Sequence, residues 1–570
     1  MKKIIAVLLT VAMIFGVVAV GASAEEQNVD LKFAVASDLH YVCPEETLEE
    51  NIPYEDVFWH ANRRAELQNE AGFIIDEFLR QCAEDDDCEF VLIPGDLVND
   101  GRVVVQQHID VAEKLAKFED ETGKPVYVIN GNHDCANNEG DFTLDDFKQM
   151  YYRFGWEEAI AVDDDTNSYV VDLNDKYRLI ALDSCHKTAS TEDGMDTERV
   201  MWVCDQAKQA KEDGKYPILM MHHNLLDHLP IQRLISRNFI IKWHYSTAEL
   251  FADSGIKLVF SGHEHCSDAT VYTSALGNKI YDFANTSLIM YPLQYRMFTM
   301  TEEEITYESK TIDSIDIDAL TSTVDGYTPE QIALMKEGMN DVYAYQFFKA
   351  GIQYRLGRDL KLEKMGLDED AFYYDLVASV VNELNDSLEM PIYGEGGIQE
   401  RAAEFGLEIP DSDYENLWDL VTDLVSFHYA GGEYYDLYST EVTILLRSVA
   451  LLLRTEFSVI GDKTLFLIAE SFLEDMGIDS ASEEIMKLAI SVFGEVSAAE
   501  YALVALASPI LYSFAYDDDG VHDNDGVIEG YGTSTVVGNI QNVSDNIERI
   551  INKVIFYLTQ AMDILLKVLL

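Results

Sequence analysis

From residue 30 to about residue 300, short apolar runs alternate with longer stretches in which apolar residues recur every three or four positions. The runs LKFAVAS (31–37), CEFVLIP (88–94), KPVYVIN (124–130), SYVVDL (168–173), YRLIALDS (177–184), YPILMM (216–221), IKLVFS (256–261), NKIYDFA (278–284) and YRMFTMT (295–301) have the length and the β-branched, aromatic character of buried strands. Between the first two, RRAELQNEAGFIIDEFLRQC (63–82) carries its apolar residues on one helical face and predicts a crossover helix. Strands alternating with helices of this kind predict a layered α/β domain.

Near residue 325 the period changes. Thr328-Pro329-Glu330 predicts a helix start, with threonine as N-cap and proline at the first helical position. Beyond it, residues 329–356, 414–430 and 440–460 keep a helical period without strand-like runs. The expected organisation is an α/β domain over residues 30–318 followed by an all-α domain over 326–570. Residues 501–516 are uncharged but shorter than a bilayer span and contain Pro509, and 442–453 is interrupted by Arg447. Both predict buried core helices, so no transmembrane span is expected in the mature chain. Residues 551–570, with Lys553, Asp563 and Lys567, predict an amphipathic helix packed on the domain or on a partner.

The first residues follow a different rule. A basic MKK, an apolar stretch over residues 4–20 and the small-residue segment GASA predict a secretory signal over residues 1–24, cleaved after Ala24 to release an extracellular chain. Charge narrows the partners further. A formal net charge of −63 over 570 residues disfavours nucleic acid polymers and anionic membranes, and an anionic substrate would need bound cations at its site. The seven cysteines are Cys43, Cys82, Cys88, Cys135, Cys185, Cys204 and Cys266, an odd number that leaves at least one thiol unpaired within the chain. Cys82 with Cys88 is one pairing that proximity suggests for an exported protein, although connectivity cannot be read from sequence, and Cys43, Cys135 and Cys266 read as packing thiols.

The polar residues with chemistry follow the apolar runs. Asp38 and His40 come after the first run, Gly95-Asp96 after the second, and Gly131-Asn132-His133-Asp134 after the third; His222-His223 and Gly262-His263-Glu264-His265 follow two later ones. In an α/β sheet the carboxyl ends of strands meet at one crevice, so these side chains are predicted to converge. Asp38, His40, Asp96, Asn132, His222, His263 and His265 offer oxygen and imidazole donors without thiolate, a set that suits Zn, Mn or Fe and is large enough for two ions. Asp183 reads as a structural loop aspartate. The acidic stretch 517–530 has the composition of a calcium loop without its spacing, since Val521 stands at the first position of the nearest frame.

In this order the motifs resemble the D-x-H, G-D, G-N-H-[DE], H and G-H-x-H pattern of the calcineurin-like metallophosphoesterase superfamily, over roughly residues 30 to 310. The resemblance implies a four-layer αββα sandwich with a dinuclear metal centre. It implies that Asp38, His40 and His265 hold one divalent ion, that Asn132, His222 and His263 hold the other, and that Asp96 bridges them. Of the adjacent pair it gives the ligand role to His222 and leaves His223 behind it. His133 fills no ligand position and is free to act as general acid or charge stabiliser at the leaving oxygen. Many relatives carry an aspartate three residues after G-D, where this chain has Asn99 followed by Asp100; either Asp100 substitutes in orienting His133, or the histidine is less well poised, or the change is a neutral loop variation. The function expected is a secreted phosphoesterase hydrolysing a phosphomonoester or phosphodiester with a hydroxide shared by two metals. The alternative is a metal-stabilised scaffold whose helical half binds cell wall, glycan or protein.

Overall fold

The computed structural model describes residues 30–43, 65–136, 140–185, 195–229, 238–359, 385–433, 436–455, 483–494 and 520–533, with residues 232 and 382 and scattered positions from 500 to 516. The signal-like segment 1–24 and the segment 551–570 lie outside the described residues.

Thirteen strands form two sheets among the described residues. They are β1 (Leu31–Val35), β2 (Phe90–Ile93), β3 (Val126–Val128), β4 (Ala161–Val162), β5 (Tyr169–Asp172), β6 (Tyr177–Leu182), β7 (Tyr216–Met221), β8 (Leu258–His265), β9 (Asp268–Thr273), β10 (Lys279–Thr286), β11 (Gln294–Met300), β12 (Glu304–Thr311) and β13 (Asp525–Glu529). The six-stranded sheet runs β13-β12-β11-β1-β2-β3 and the seven-stranded sheet β4-β5-β6-β7-β8-β10-β9. Parallel pairing joins β1, β2 and β3 in one sheet and β6, β7, β8 and β10 in the other.

The two-residue period of a strand sorts the apolar side chains between layers. In β7, Ile218 and Met220 enter the core between the sheets, whereas Leu219 and Met221 enter the core under helices Thr197–Glu212 and His244–Ser254. In β8, Leu258 and Phe260 face inward and Val259 faces those helices. The sheets meet through aromatic rings: Phe33 of β1 lies 5.6 Å edge-on from Phe260, and Phe298 of β11 lies 5.0 Å from Phe283 of β10. Helices Ala71–Glu84 and Val105–Thr122 supply Ile74, Phe78, Val111 and Leu115 to the core from the outer side of the six-stranded sheet. Helix, sheet, sheet and helix are therefore the layers, an α/β sandwich of two mixed sheets followed by a helical region.

Thr328 caps helix Pro329–Glu337 as the sequence predicts, accepting from the Gln331 N–H while the Gln331 side chain accepts from the Thr328 N–H. The change of period at 325 is not a change of core, however. Leu320, Val324, Met335, Met339, Tyr343 and Phe347 belong to the same apolar cluster as the six-stranded sheet and helix Ala71–Glu84, and a separate apolar cluster begins at Leu388 and continues through helices Leu417–Ala430, Thr440–Thr455 and Glu483–Phe493. Among the described residues no helix is long and apolar enough to cross a membrane.

The described part of the acidic stretch, residues 520–530, forms a seam. Its last residues are β13, which pairs antiparallel with β12 along the edge of the six-stranded sheet. Asn524 donates to the carbonyls of Ala430 and Gly431 and accepts from Ser267 and Gln294, and Asp523 accepts from the Ala269 N–H. Buried Arg296 completes the seam, donating to Ser267 Oγ at 2.8 Å, Asn285 Oδ1 at 3.1 Å and Asp523 O at 3.2 Å, and to the carbonyl of Ala284. Arg296→Met should cost about 3–5 kcal/mol, because several buried acceptors lose their donor at once. Denaturant unfolding checks this; a loss below about 1 kcal/mol would show that the seam is solvated.

All seven cysteines are free, buried thiols. The Cys82–Cys88 disulfide suggested by sequence proximity is not formed. Cys82, in the last turn of helix Ala71–Glu84, and Cys88, ahead of β2, are buried with their thiols in contact, and Cys88 Sγ donates to the carbonyl of Phe90 at 3.5 Å.

Candidate metal centre

The carboxyl ends of β1, β2, β3, β7 and β8 converge, and the seven predicted donors meet there. Backbone geometry at these positions is unusual. Asp38, His40, Asp96, His263 and His265 all have positive φ, between 39° and 68°, the left-handed region that costs a residue with a Cβ roughly 1–2 kcal/mol. Such strain concentrates where side chains are aimed by the fold rather than by local preference. Strand β8 does not stop before GHEH as its sequence suggests; it runs through His265, with a register shift opposite residues 284–286 of β10.

Two glycines make the approach of these strands possible. Gly95 has φ +101°, and a Cβ there would meet the His222 ring at 2.7 Å. A Cβ on Gly262 would fall 2.2 Å from Asp38 Oδ2, the oxygen that accepts the His263 N–H at 3.0 Å.

The donors form two groups. In the first, His40 Nε2 and His265 Nε2 face one another at 3.1 Å, and Asp38 Oδ1 lies 3.8 Å and 3.3 Å from them, buried and without a hydrogen-bond partner. In the second, His222 Nε2 lies 3.0 Å from Asn132 Oδ1, with His263 completing a buried cluster around Asp96. Asp96 Oδ2 reaches both groups, 3.7 Å from His40 Nε2 and 3.2 Å from His222 Nε2.

Polarity identifies what this arrangement is built for. His222 Nδ1 lies 3.0 Å from the carbonyl of Pro94, which can only accept, so Nδ1 carries the proton and Nε2 presents a lone pair. That lone pair faces two further acceptors, Asp96 Oδ2 and Asn132 Oδ1. Acceptors aimed at acceptors need a cation between them. A proton serves when nothing else does: burial lowers the His222 pKa, but Asp96 outweighs it and raises the value to about 9. Burial likewise opposes ionisation of Asp96, and the facing His222, His133 and His40 more than offset it, holding the carboxyl well below its ordinary value. Divalent ions fit the same donors, which are imidazole nitrogens, carboxylate and amide oxygens at carboxylate-bridged spacing.

His223 points elsewhere. Its Nδ1 is 2.9 Å from Ser184 Oγ, and burial, followed by the charge of His222, lowers its pKa to about 3, so it packs as a neutral ring 4.5 Å from that of His263. Asp183 accepts from Asn130, Asn167 and Cys185 and is structural.

His133 lies over the first group, its ring edge-on to His40 at 4.9 Å. Its backbone N–H donates to Asp96 Oδ1 at 2.7 Å, and its Nδ1 lies 2.7 Å from the main-chain carbonyl of Asn99. The Asn99 side chain turns away to donate to Asp100. A main-chain carbonyl thus orients the histidine through Nδ1, which leaves Nε2 for the site. Asp134 fastens the same turn, accepting from Gly131 N and Val98 N at 2.7 Å and 3.1 Å. The carbonyls of Pro94 and Asn99, and that of Asn238 at 3.2 Å from His263 Nε2, carry no signature in side-chain sequence.

Likeness to known proteins is limited to one family model and to distant solved structures. No curated protein matches the chain. Among solved structures, a dimetal phosphatase from Danio rerio shares 11% identity at a TM-score of 0.37, over 50% of this chain and 97% of its own. A phosphopantetheinyl hydrolase from Mycobacterium tuberculosis shares 12% at 0.25, over 45% and 90%, and a 5'-nucleotidase from Candida albicans 13% at 0.25, over 64% and 60%. The model of the calcineurin-like phosphoesterase family matches residues 31–267, a span that contains all seven donors and His133. The likeness to the calcineurin-like phosphoesterase family thus covers residues 31–267 of the 570.

Proposed function

We propose that the chain is an exported phosphoesterase that binds two divalent ions and hydrolyses a phosphomonoester or phosphodiester. The observation that carries this reading is the pair of facing acceptor groups sharing Asp96 Oδ2. Asp38, His40 and His265 would hold one ion, Asn132, His222 and His263 the other, and Asp96 both; when bound, such ions supply a water of lowered pKa and neutralise phosphate oxygens. The chain's own residues do the rest. Asp134 and the Asp96 carboxylate fix the turn that carries His133, and the Asn99 carbonyl keeps the proton on Nδ1. Nε2 is then the atom that holds or moves a proton at the leaving oxygen. Asp38, His40, Asp96 and His222 are almost fully buried, which limits water at their donor atoms. Export rests on residues 1–24 and the substrate class on the family match, and both are part of the proposal. The scaffold alternative is less well supported, since a scaffold has no need of five strained donors aimed at one crevice.

The test is an activity screen of the chain lacking residues 1–24, loaded with Mn, Zn or Fe, against phosphomonoesters and phosphodiesters. Hydrolysis that disappears on chelation and returns with metal is the expected result. Fully loaded protein that hydrolyses neither class would overturn the reading.

A further inference from the structure

At the opposite ends of the strands that carry the metal-site histidines lies a cavity of about 370 Å³. It opens where β7 begins at Tyr216, where β8 is preceded by Lys257 and where β10 begins at Lys279, so β7 separates it from His222 by about 20 Å at 3.3 Å per residue. The far wall comes from the end of β13 and from Tyr531, whose ring stacks 5.0 Å from Tyr216.

Charge sets the cavity apart. The chain has 103 acidic residues against 40 lysines and arginines, yet the lining holds Lys211, Lys215, Lys257 and Lys279 with a single carboxylate, Glu529. Two of these lysines are already engaged. Lys257 is buried and donates to the carbonyls of Glu529 and Gly530 at 3.2 and 2.6 Å, and Lys215 donates to Asn174 O at 2.5 Å and lies 3.4 Å from Asp172. The other two have exposed ammonium groups and no acceptor within hydrogen-bond distance among the described residues. Lys211 is laid over Gly255, where a Cβ would meet its Cδ at 2.5 Å, so the missing side chain leaves room for this lysine along the cavity wall. Lys279 is near enough for its charge to act on Lys257. At physiological ionic strength charges further off than a Debye length of about 8 Å are largely screened, so the lysines act together at the cavity while the net −63 is damped.

We infer that this cavity is a second binding site, separate from the metal centre, for a small phosphate-type oxyanion carrying at least two negative charges. Lys211 and Lys279 supply the free donors. Lys257 and Lys215 hold the β13 end and the start of β7 in place, and so form the rigid part of the site. Occupancy would therefore draw on both the seven-stranded sheet and the end of β13.

The probe is inorganic pyrophosphate, measured by calorimetry on the full chain with the metal centre silenced in two independent ways, by Asp96→Asn and by chelation of the unmodified protein. One equivalent should bind in both preparations. Adding Lys211→Glu and Lys279→Glu should weaken binding on the order of 10–100-fold per residue, the range for lost charged hydrogen bonds, and the Lys→Gln versions should fall between. Both lysines are exposed, so the thermal midpoint should not move. Absence of binding in both preparations, or binding indifferent to the lysine changes, would overturn the inference.

Discussion

Asp96→Asn is expected to empty both halves of the metal centre together. In the unmodified protein, elemental analysis should find about two metal equivalents per chain. Loss of an outer partner of a ligand typically costs 10–100-fold in metal affinity, and loss of a shared ligand should cost at least about 100-fold at each position. The geometry explains why one substitution reaches both ions: Asp96 Oδ2 lies 3.7 Å from His40 Nε2 and 3.2 Å from His222 Nε2, while Oδ1 accepts the His133 N–H. An asparagine keeps the size and the Oδ1 contact but removes the charge that balances three imidazoles. A protein that never exceeds one equivalent when metal is plentiful, or a variant that loses only one of two ions, would refute a shared carboxylate.

His133→Ala should do the reverse, sparing the metals and cutting turnover. With Nδ1 committed to the Asn99 carbonyl, Nε2 is the proton carrier, and general acid catalysis by such a group contributes on the order of 10²–10⁴-fold. The loss should be largest on substrates whose leaving groups have high pKa, because those depart only with a proton, and smaller on activated aryl phosphates. Comparing kcat on the two kinds of substrate, beside metal content, separates the cases. Equal losses on both would assign His133 to charge stabilisation, and loss of metal would make it a ligand, a role its position near His40 and Asp96 allows. Asn99→Ala should leave turnover close to that of the parent chain, since the contact is made by its main chain.

Much of the site was legible because each donor follows an apolar run of strand length, and in an α/β sheet the ends of such strands gather at one crevice. What was not legible has physical reasons too. The donors' left-handed backbone leaves no mark in sequence, since aspartate and histidine, unlike glycine, do not advertise positive φ. The orienting partners of His222 and His133 are carbonyls, which every residue has. Strand β12 was missed because only Ile305 and Tyr307 of its residues turn inward, and β13 because DGVIE is acidic and pairs with residues far away in sequence. The helical period after 325 was read correctly, but periodicity reports the shape of a segment and not the core it serves. Leu320, Met335 and Phe347 are helical residues that complete a sheet's core.

The seam formed by β13 also bears on how the molecule is made. Tyr307 of β12 meets His522, 215 positions further on, and until that segment appears the outer edge of β12 has no partner. At ribosomal rates of about 5–20 residues per second, the wait is roughly 10–40 s. During that interval the nascent chain presents an unpaired strand edge, the kind of surface on which neighbouring copies can supply the missing strand.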